Sequence, residues 1–439
     1  MNFRGIVKKA IPKELFNKVE PWGHLAEAVL FQLLNGFPAR DLKIIGVTGT
    51  NGKTTTAFLI HNMLHKAGYS VGLLSTVGWG MGGKITPQVE HMTTMPVPQL
   101  LRRIKILKQQ GAKWVVLEVT SHAMAQNRVW GMPIDIAVMT NVTHEHLDYH
   151  GTFENYLAAK RKLFVMCGRN KKGSKTGVVN ADDPNAELFV SAVANPITYG
   201  IKSGDLRGRD VKSTSSSNEY VVDVAGASLQ IKTNLGGSFN VYNSLAAVAV
   251  GQKLGLSATQ IQQGIASLQG VEGRMFSIDE GQGYELIVDY AHTPDSFEKL
   301  FADLKPTVKG RLIVMFGSAG GQRDKLKRPI QGELAGKYAD VVILTEEDDR
   351  DTPGMDILNQ IAAGAEKCGK KIGTDLFLVH DRTEAIRFTL GKAKKRRHST
   401  TARQGARKEY RTCSWPRPLG RSRYCRPSRK NKHPIISSL

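Results

Sequence analysis

The densest chemistry in the chain is Gly49-Thr50-Asn51-Gly52-Lys53-Thr54-Thr55. Backbone N–H groups of such a loop, at a helix N-terminus, cradle phosphates. The lysine ammonium meets β/γ oxygens and the Thr54 hydroxyl suits Mg²⁺. Two more polar clusters follow apolar runs. Trp114 to Val119 contains Glu118 and leads into Thr120-Ser121-His122, and Ile134 to Val142 leads into Thr143-His144-Glu145-His146-Leu147-Asp148. Glu118 and His146 offer hard ligands for magnesium or a magnesium-bound water.

The elements that must position these groups follow from periodicity. Asp41 to Val47 (DLKIIGV) is a strand feeding the Gly-rich loop, and the apolar spacing after Lys53 is helical. Buried strands alternating with helical stretches predict a parallel sheet whose strand C-termini carry the chemistry. Between Ser203 and Leu235 the pattern changes to short alternating stretches such as Tyr220 to Val224, an antiparallel β excursion. From Arg274 a second α/β pattern begins, with apolar runs at Leu286 to Val288, Leu312 to Phe316 and Val341 to Leu344. The expected fold class is α/β: a P-loop parallel-sheet ATPase domain with a small antiparallel excursion, then a second Rossmann-like α/β domain. The expected segments are an N-terminal helical stretch (1–42), the ATP-binding domain (43–270), the second domain (271–395) and a basic tail without fixed structure (396–439).

Composition narrows the class. With 439 residues, 41% of them hydrophobic, the chain has enough apolar content for several cores. Cys167, Cys368, Cys413 and Cys425 lack metal-type spacing and imply a reducing compartment, so the expectation is a cytoplasmic protein. The opening MNFRGIVKKAIPKELF does not read as a secretory signal. His24 to Phe37 (HLAEAVLFQLLNGF) is apolar but too short to span a bilayer. It reads as a helix on the first domain, with weak contact of 24–37 with a membrane surface as the alternative. The formal charge of +22 is uneven: from Gly391 onward sixteen basic residues face one acid, Glu409, a net +15 that leaves +7 elsewhere. The charge therefore gives the globular part no nucleic-acid signature, and no specific nucleic acid is expected as a partner.

The form GVTGTNGKTT departs from a strict P-loop in carrying Val47 where the first glycine is expected, and it resembles the loop of Mur ligases and folylpolyglutamate synthases. LEVTSHAMAQNRV (117–129), TNVTHEHLDYHGT (140–152), YLAAKRKLF (156–164), NADDP, GSFNVYNSLAA, GVEGRM, VDYAHTPDS and FGSAGGQRDKLKRP follow in Mur ligase order, spanning most of residues 43–390. The resemblance implies an ATP- and Mg²⁺-dependent ligase. It would add an amino acid to a muramoyl-peptide precursor through an acyl phosphate. It also implies roles: Lys53, Lys160 and His146 in catalysis, and Thr54, Glu118, His146 and a carbamylated Lys160 at magnesium. A plain solvated helix lysine is the alternative for Lys160. Gly49 to Thr55, Asn240, Asn243, Arg274 and Asp289 would contact nucleotide, and Thr93, Thr94, Ser121 and Arg128 the muramoyl peptide. For His122 and His144, function and a plain loop role are left open.

Three departures stand out. Only about forty residues precede the loop strand, fewer than a uridine-binding domain needs, so the precursor is expected to be held by its sugar and peptide. Leu344 to Pro353 (LTEEDDRDTP) stands where the family reads the incoming amino acid, and only Arg350 clearly survives; its planar fork suits a distal carboxylate on a diamino acid such as meso-diaminopimelate. After Lys395 the composition turns basic with almost no aliphatic run, where the resemblance implies a strand and a Gly-Lys-Gly-His-Glu motif. Reading one nucleotide later from about Arg396, with permitted codons, gives GDTVLLLGKGHE. The tail is thus expected to be frameshifted, to lack structure and to leave the second domain without its final strand. Two rival functions remain: a folylpolyglutamate-synthase-like ligase with another acceptor, and nucleic-acid binding by the tail.

Overall fold

The computed structural model describes residues 13–88, 92–321, 325–394 and 434–438. They form two compact units. The first comprises Met1–Phe276, Tyr290–Thr307 and Gln322–Lys327; the second comprises Ser277–Asp289, Val308–Gly321 and Arg328–Leu439.

The first unit is built on nine strands: β1 (Lys43–Thr48), β2 (Val71–Leu74), β3 (Gly78–Met81), β4 (Lys84–Pro87), β5 (Trp114–Glu118), β6 (Ile134–Met139), β7 (Thr176–Asn180), β8 (Asn195–Gly200) and β9 (Leu206–Arg207), in the order β4-β3-β2-β5-β1-β6-β7-β8-β9. β2, β5, β1, β6, β7, β8 and β9 run parallel through the sheet, while β3 pairs antiparallel with both β2 and β4. The hairpin was not legible in the sequence, because its glycine-rich GWGMGGK carries no alternation of apolar and polar residues.

β1 shows why both faces are covered. Ile45 and Val47 enter one buried cluster with Ala57, Leu59 and Ile60 of α2 (Lys53–Lys66), while Ile44 enters another with Leu100, Leu101 and Ile104 of α3 (Val97–Gln109). That is the period-two alternation of a strand buried on both sides. The helix Phe239–Lys253 is buried along most of its length, its apolar residues in the first cluster and Asn240, Asn243 and Ser244 as buried polar groups. The helix ahead of β1, α1 (Lys13–Leu34), lies on α3. No described helix is long and apolar enough to cross a membrane.

The excursion is a three-stranded antiparallel sheet of β10 (Arg209–Ser213), β11 (Asn218–Val224) and β12 (Ala227–Thr233). The segment Tyr290–Thr307, which the sequence reading places in the second domain, groups instead with the first unit. It is tied there by side chains: Asn51 Nδ2 donates to Asp295 at 3.0 Å, and Ser238 Oγ to Asp303 at 2.9 Å.

The second unit holds a six-stranded sheet. Its strands are β13 (Phe276–Ile278), β14 (Glu285–Asp289), β15 (Ile313–Phe316), β16 (Val341–Leu344), β17 (Leu376–Leu378) and β18 (Pro434–Ser438), ordered β13-β14-β18-β15-β16-β17. Here the structure corrects an expectation. The sequence reading leaves nothing after residue 395 to join a sheet, yet β18 pairs in parallel with β14 and β15 through Ile435 and Ile436. The basic stretch is followed by PIISSL, whose two β-branched residues suit a central strand. Residues 395–433, where the rest of the tail expectation falls, lie outside those described.

Candidate active site

The site of the first unit assembles where β1, β5 and β6 end side by side, with Val47 opposite Glu118 and Thr48 opposite Met139. The loop after β1 is clamped by the loop after β6. Asn141 O accepts from Thr50 N at 2.7 Å, Asn141 Oδ1 accepts from Asn51 N at 3.0 Å, and Thr140 Oγ1 donates to Asn51 O at 2.6 Å. Gly49 (φ 149°) and Gly52 (φ 82°) make that approach feasible, since an added Cβ would lie 1.9 Å from Thr140 Oγ1 or 2.3 Å from Asn243 Oδ1. Gly52 then caps α2 with no side-chain cap, so the loop ends at the positive end of the helix.

Lys53 Nζ donates to Thr50 O at 2.6 Å, and Lys160 Nζ donates to Gly49 O at 2.6 Å. Lys160 is 2% exposed on the inner face of α4 (Phe153–Arg169), with its ammonium 4.4 Å from the centre of the Tyr156 ring. Burial, then the nearby charge of Lys53, holds its pKa well below the ordinary lysine range, while Glu145 opposes. This is not a solvated helix lysine. Burial lowers Lys53 as well, against the opposing charges of Glu118 and Glu145.

Glu118 is 1% exposed. Its Oε1 accepts from Thr54 Oγ1 at 3.1 Å, and its Oε2 accepts from Thr76 N and Thr76 Oγ1, both at 2.9 Å. Arg274 Nη2 donates to Thr54 Oγ1 at 3.1 Å, its guanidinium lies 5.0 Å from the centre of the Tyr290 ring, and its buried Nε has no hydrogen-bond partner. A buried donor of that kind is costly unless something accepts from it, and a phosphate oxygen would.

His146 sits in the left-handed region (φ 56°) with Nε2 3.6 Å from Glu145 Oε1. Burial pulls its pKa down to about 3 although Glu145 opposes, so the ring is neutral and able to ligate. The His122 ring lies edge-on 4.7 Å from it, and His144 stacks on Phe153 at 4.4 Å. Glu145 is a functional residue that spacing alone does not single out. Burial pushes its carboxyl up, but a 3.1 Å hydrogen bond from His292 and the charges of His292 and Lys53 prevail, leaving it well below the carboxylate range. The signals available were its place between two histidines and the VDYAHTPDS motif that carries His292.

The remaining sequence candidates of this unit cluster nearby. Thr93 Oγ1 accepts from Thr76 Oγ1 at 3.0 Å, and Thr94 Oγ1 donates to Glu118 O at 3.0 Å. Arg128 Nη1 donates to Thr94 O, and Ser121 Oγ meets His150 Nε2 at 3.0 Å. Asn240 and Asn243 are buried behind the start of α2: Asn243 Nδ2 donates to Asn240 Oδ1 at 2.8 Å and Thr56 Oγ1 donates to Asn243 Oδ1 at 3.2 Å. Asp289 and Arg350 belong to the second unit. Asp289 ends β14, and Arg350 (φ 53°) holds Asp348 Oδ2 through Nε at 2.9 Å and Nη2 at 2.8 Å.

Comparison with known proteins agrees with this geometry. The family described as the Mur ligase middle domain matches residues 47–251, and that described as the Mur ligase, glutamate ligase domain matches residues 273–399. UDP-N-acetylmuramyl-tripeptide synthetase of Roseiflexus sp. (strain RS-1) is 40% identical over 386 residues, 85% of this chain and 76% of the relative. UDP-N-acetylmuramoyl-L-alanyl-D-glutamate–2,6-diaminopimelate ligase of Geobacillus thermodenitrificans is 39% identical over 379 residues, 85% of this chain and 76% of the relative. A solved structure of a ligase of the latter name superposes with a TM-score of 0.60 at 28% identity, covering 95% of this chain and 76% of the other. Folylpolyglutamate synthase of Mycobacterium tuberculosis complexed with ADP shares the fold, with a TM-score of 0.68 at 16% identity over 87% of this chain and 90% of the other. A P-loop clamped beside a buried Glu118, and relatives of this identity and coverage, lead to one conclusion: the chain belongs to the Mur ligase family of ATP-dependent ligases.

Proposed function

We propose that the chain joins a diamino acid to a UDP-N-acetylmuramoyl-dipeptide-type precursor, using ATP and Mg²⁺ in peptidoglycan synthesis. The observation that carries this reading is the convergence of Lys53, Lys160, Glu118 and Thr54 on one loop. The Lys53 ammonium rests on a carbonyl of the loop itself, so an incoming phosphate offers it a better acceptor. Thr54 and Glu118 provide a hydroxyl and a carboxylate oxygen 3.1 Å apart, the hard-donor chemistry that magnesium takes, with His146 and a carbamylated Lys160 as further ligands. Bound magnesium would supply charge neutralisation at the phosphates.

The residues then act by position and charge. The precursor carboxylate attacks the γ-phosphorus, ADP leaves, and the acyl phosphate is attacked by the amine of the incoming amino acid, which releases phosphate and forms the amide. Lys53 and Arg274 face the charge spread over the transferring group. Thr93, Thr94, Ser121 and Arg128 hold the muramoyl peptide, and Asn240, Asn243 and Asp289 the nucleoside. In the second unit, the adjacent carboxylate and guanidinium of Asp348 and Arg350 complement a distal ammonium and carboxylate, as in meso-diaminopimelate.

The test is amino-acid-dependent ADP release with a muramoyl dipeptide, offering diaminopimelate, lysine or glutamate, with a folate as an alternative acceptor substrate. Turnover only with folate and glutamate would transfer the chain to the folylpolyglutamate branch. Faster turnover with lysine than with diaminopimelate would remove the role given to Arg350.

A further inference from the structure

We infer that α1 is a docking face for an anionic lipid surface. The helix has two opposite faces. His24, Ala28 and Gln32 are buried, and Gln32 Nε2 donates to Trp130 O at 2.8 Å, which fixes that side on the first unit. The other side shows Trp22, Leu30, Leu33 and Leu34 to solvent, at 72%, 53%, 62% and 70% exposure, with Ala26 between them. At 100° per residue these five positions fall within a sector of about 120°, centred opposite the buried residues. They form one apolar stripe in a helix already docked on its other side, and contiguous exposed apolar surface of this kind marks an interaction site.

Charge selects the occupant. The twenty residues from Met1 to Glu20 carry Arg4, Lys8, Lys9, Lys13 and Lys18 against Glu14 and Glu20, interspersed with Phe3, Ile6, Val7, Ile11, Leu15 and Phe16. An apolar stripe with a tryptophan, next to a basic and apolar segment, fits the acyl boundary and the anionic headgroups of a bilayer surface. The helix would lie along the surface, since it is not apolar enough to cross. This inference stands apart from the ligase reading, and its test involves no turnover.

The full chain is sedimented with vesicles of phosphatidylcholine alone and of phosphatidylcholine with one third phosphatidylglycerol. Expected are binding to the anionic vesicles only, a fall in binding with added salt, and a blue shift of tryptophan emission that Trp22→Phe abolishes. The variant Trp22→Ser/Leu30→Ser/Leu33→Ser changes only exposed side chains and keeps the basic tail, so it separates stripe from tail. It should lose at least tenfold in partitioning, with an unchanged circular dichroism spectrum. No binding to anionic vesicles, or equal binding by the triple variant, overturns the inference. So does a concentration-dependent dimer in light scattering that the triple variant abolishes, since the stripe is then covered by a second copy.

Discussion

Lys53 and Lys160 hang on neighbouring carbonyls of one loop, Thr50 O and Gly49 O, each at 2.6 Å. Burial lowers the pKa of both; the charge of Lys53 adds to it at Lys160 and that of Arg274 at Lys53, while Glu145 opposes at both and Glu118 at Lys53. The arrangement is suited to receiving negative charge, from phosphate at Lys53 and from a carbamate at Lys160. The first two predictions separate these two events.

Lys53→Ala is expected to lower amino-acid-dependent ADP release on the order of 100-fold or more, the loss typical of removing one fixed counter-charge at a transition state. The melting curve should be nearly unchanged. Near-normal turnover in the folded variant would sink the assignment of the loop.

Lys160→Ala is expected to lose activity and to regain part of it with added short-chain carboxylates. Carbamylation needs the neutral amine, whose lone pair forms an N–C bond to CO₂ with loss of one proton, and the buried site favours that neutral form. An alanine variant with full activity, together with an intact mass showing no labile carbamate, would leave Lys160 as a buried structural amine.

Gly49→Ala is expected to weaken nucleotide binding more than tenfold while Lys53 remains. The new Cβ would fall 1.9 Å from Thr140 Oγ1, so the bond from Thr140 to Asn51 O must break and the loop must shift. Gly23→Ala in α1 is the contrast. Nothing lies within 4 Å of the new methyl, so stability should rise by about 0.5–1 kcal/mol. Isothermal titration with ADP and thermal melts measure both.

His61 gives the first unit an acid limb of stability. Burial, with the charge of His65 adding to it, lowers its pKa from 6.5 to about 4 although a backbone bond to Val71 opposes. The unfolded chain therefore takes up this proton first. Stability is full above about pH 6.5 and falls as pH drops toward 4, by about 3 kcal/mol in total at 1.36 kcal/mol per unit. Urea unfolding at pH 7 and pH 4.5 should show the loss in the parent and a smaller one in His61→Leu. Equal losses would remove His61 as the cause.

The frameshift expectation makes a prediction about the nucleic acid itself. The encoding DNA, read one nucleotide later from about Arg396, should give Gly-Lys-Gly-His-Glu, and the chain in that frame should be the more active ligase. Codons that do not yield the motif would end the idea.

Much of the site was legible because it lies in short contiguous motifs. Lys53, Thr54 and Glu118 were placed by local spacing; Thr54 lies within hydrogen-bond reach of Glu118, and Lys53 rests on Thr50 O of the same loop. Lys160 could have been read further. Tyr156, Lys160, Leu163, Phe164 and Cys167 recur at helical spacing and are all buried, so the lysine had to lie on the apolar face. Glu145 and His292 could not be paired from sequence, because 147 residues separate them and neither type requires the other. The opposite error occurred at β18, where a compositional argument about a basic stretch hid two isoleucines capable of pairing.

The return of Tyr290–Thr307 to the first unit bears on how the chain emerges from the ribosome. The P-loop strand is made early, but Asp295 and His292, which hold Asn51 and Glu145, come far later, Asp295 244 residues after Asn51. At roughly 5–20 residues per second, that is an interval of about ten seconds or more. During it the nascent first unit holds its phosphate loop without those partners, and Glu145 lacks its hydrogen bond from His292. A nascent fragment ending near Gly270 should therefore bind nucleotide loosely, and binding should tighten only once the chain has passed residue 307.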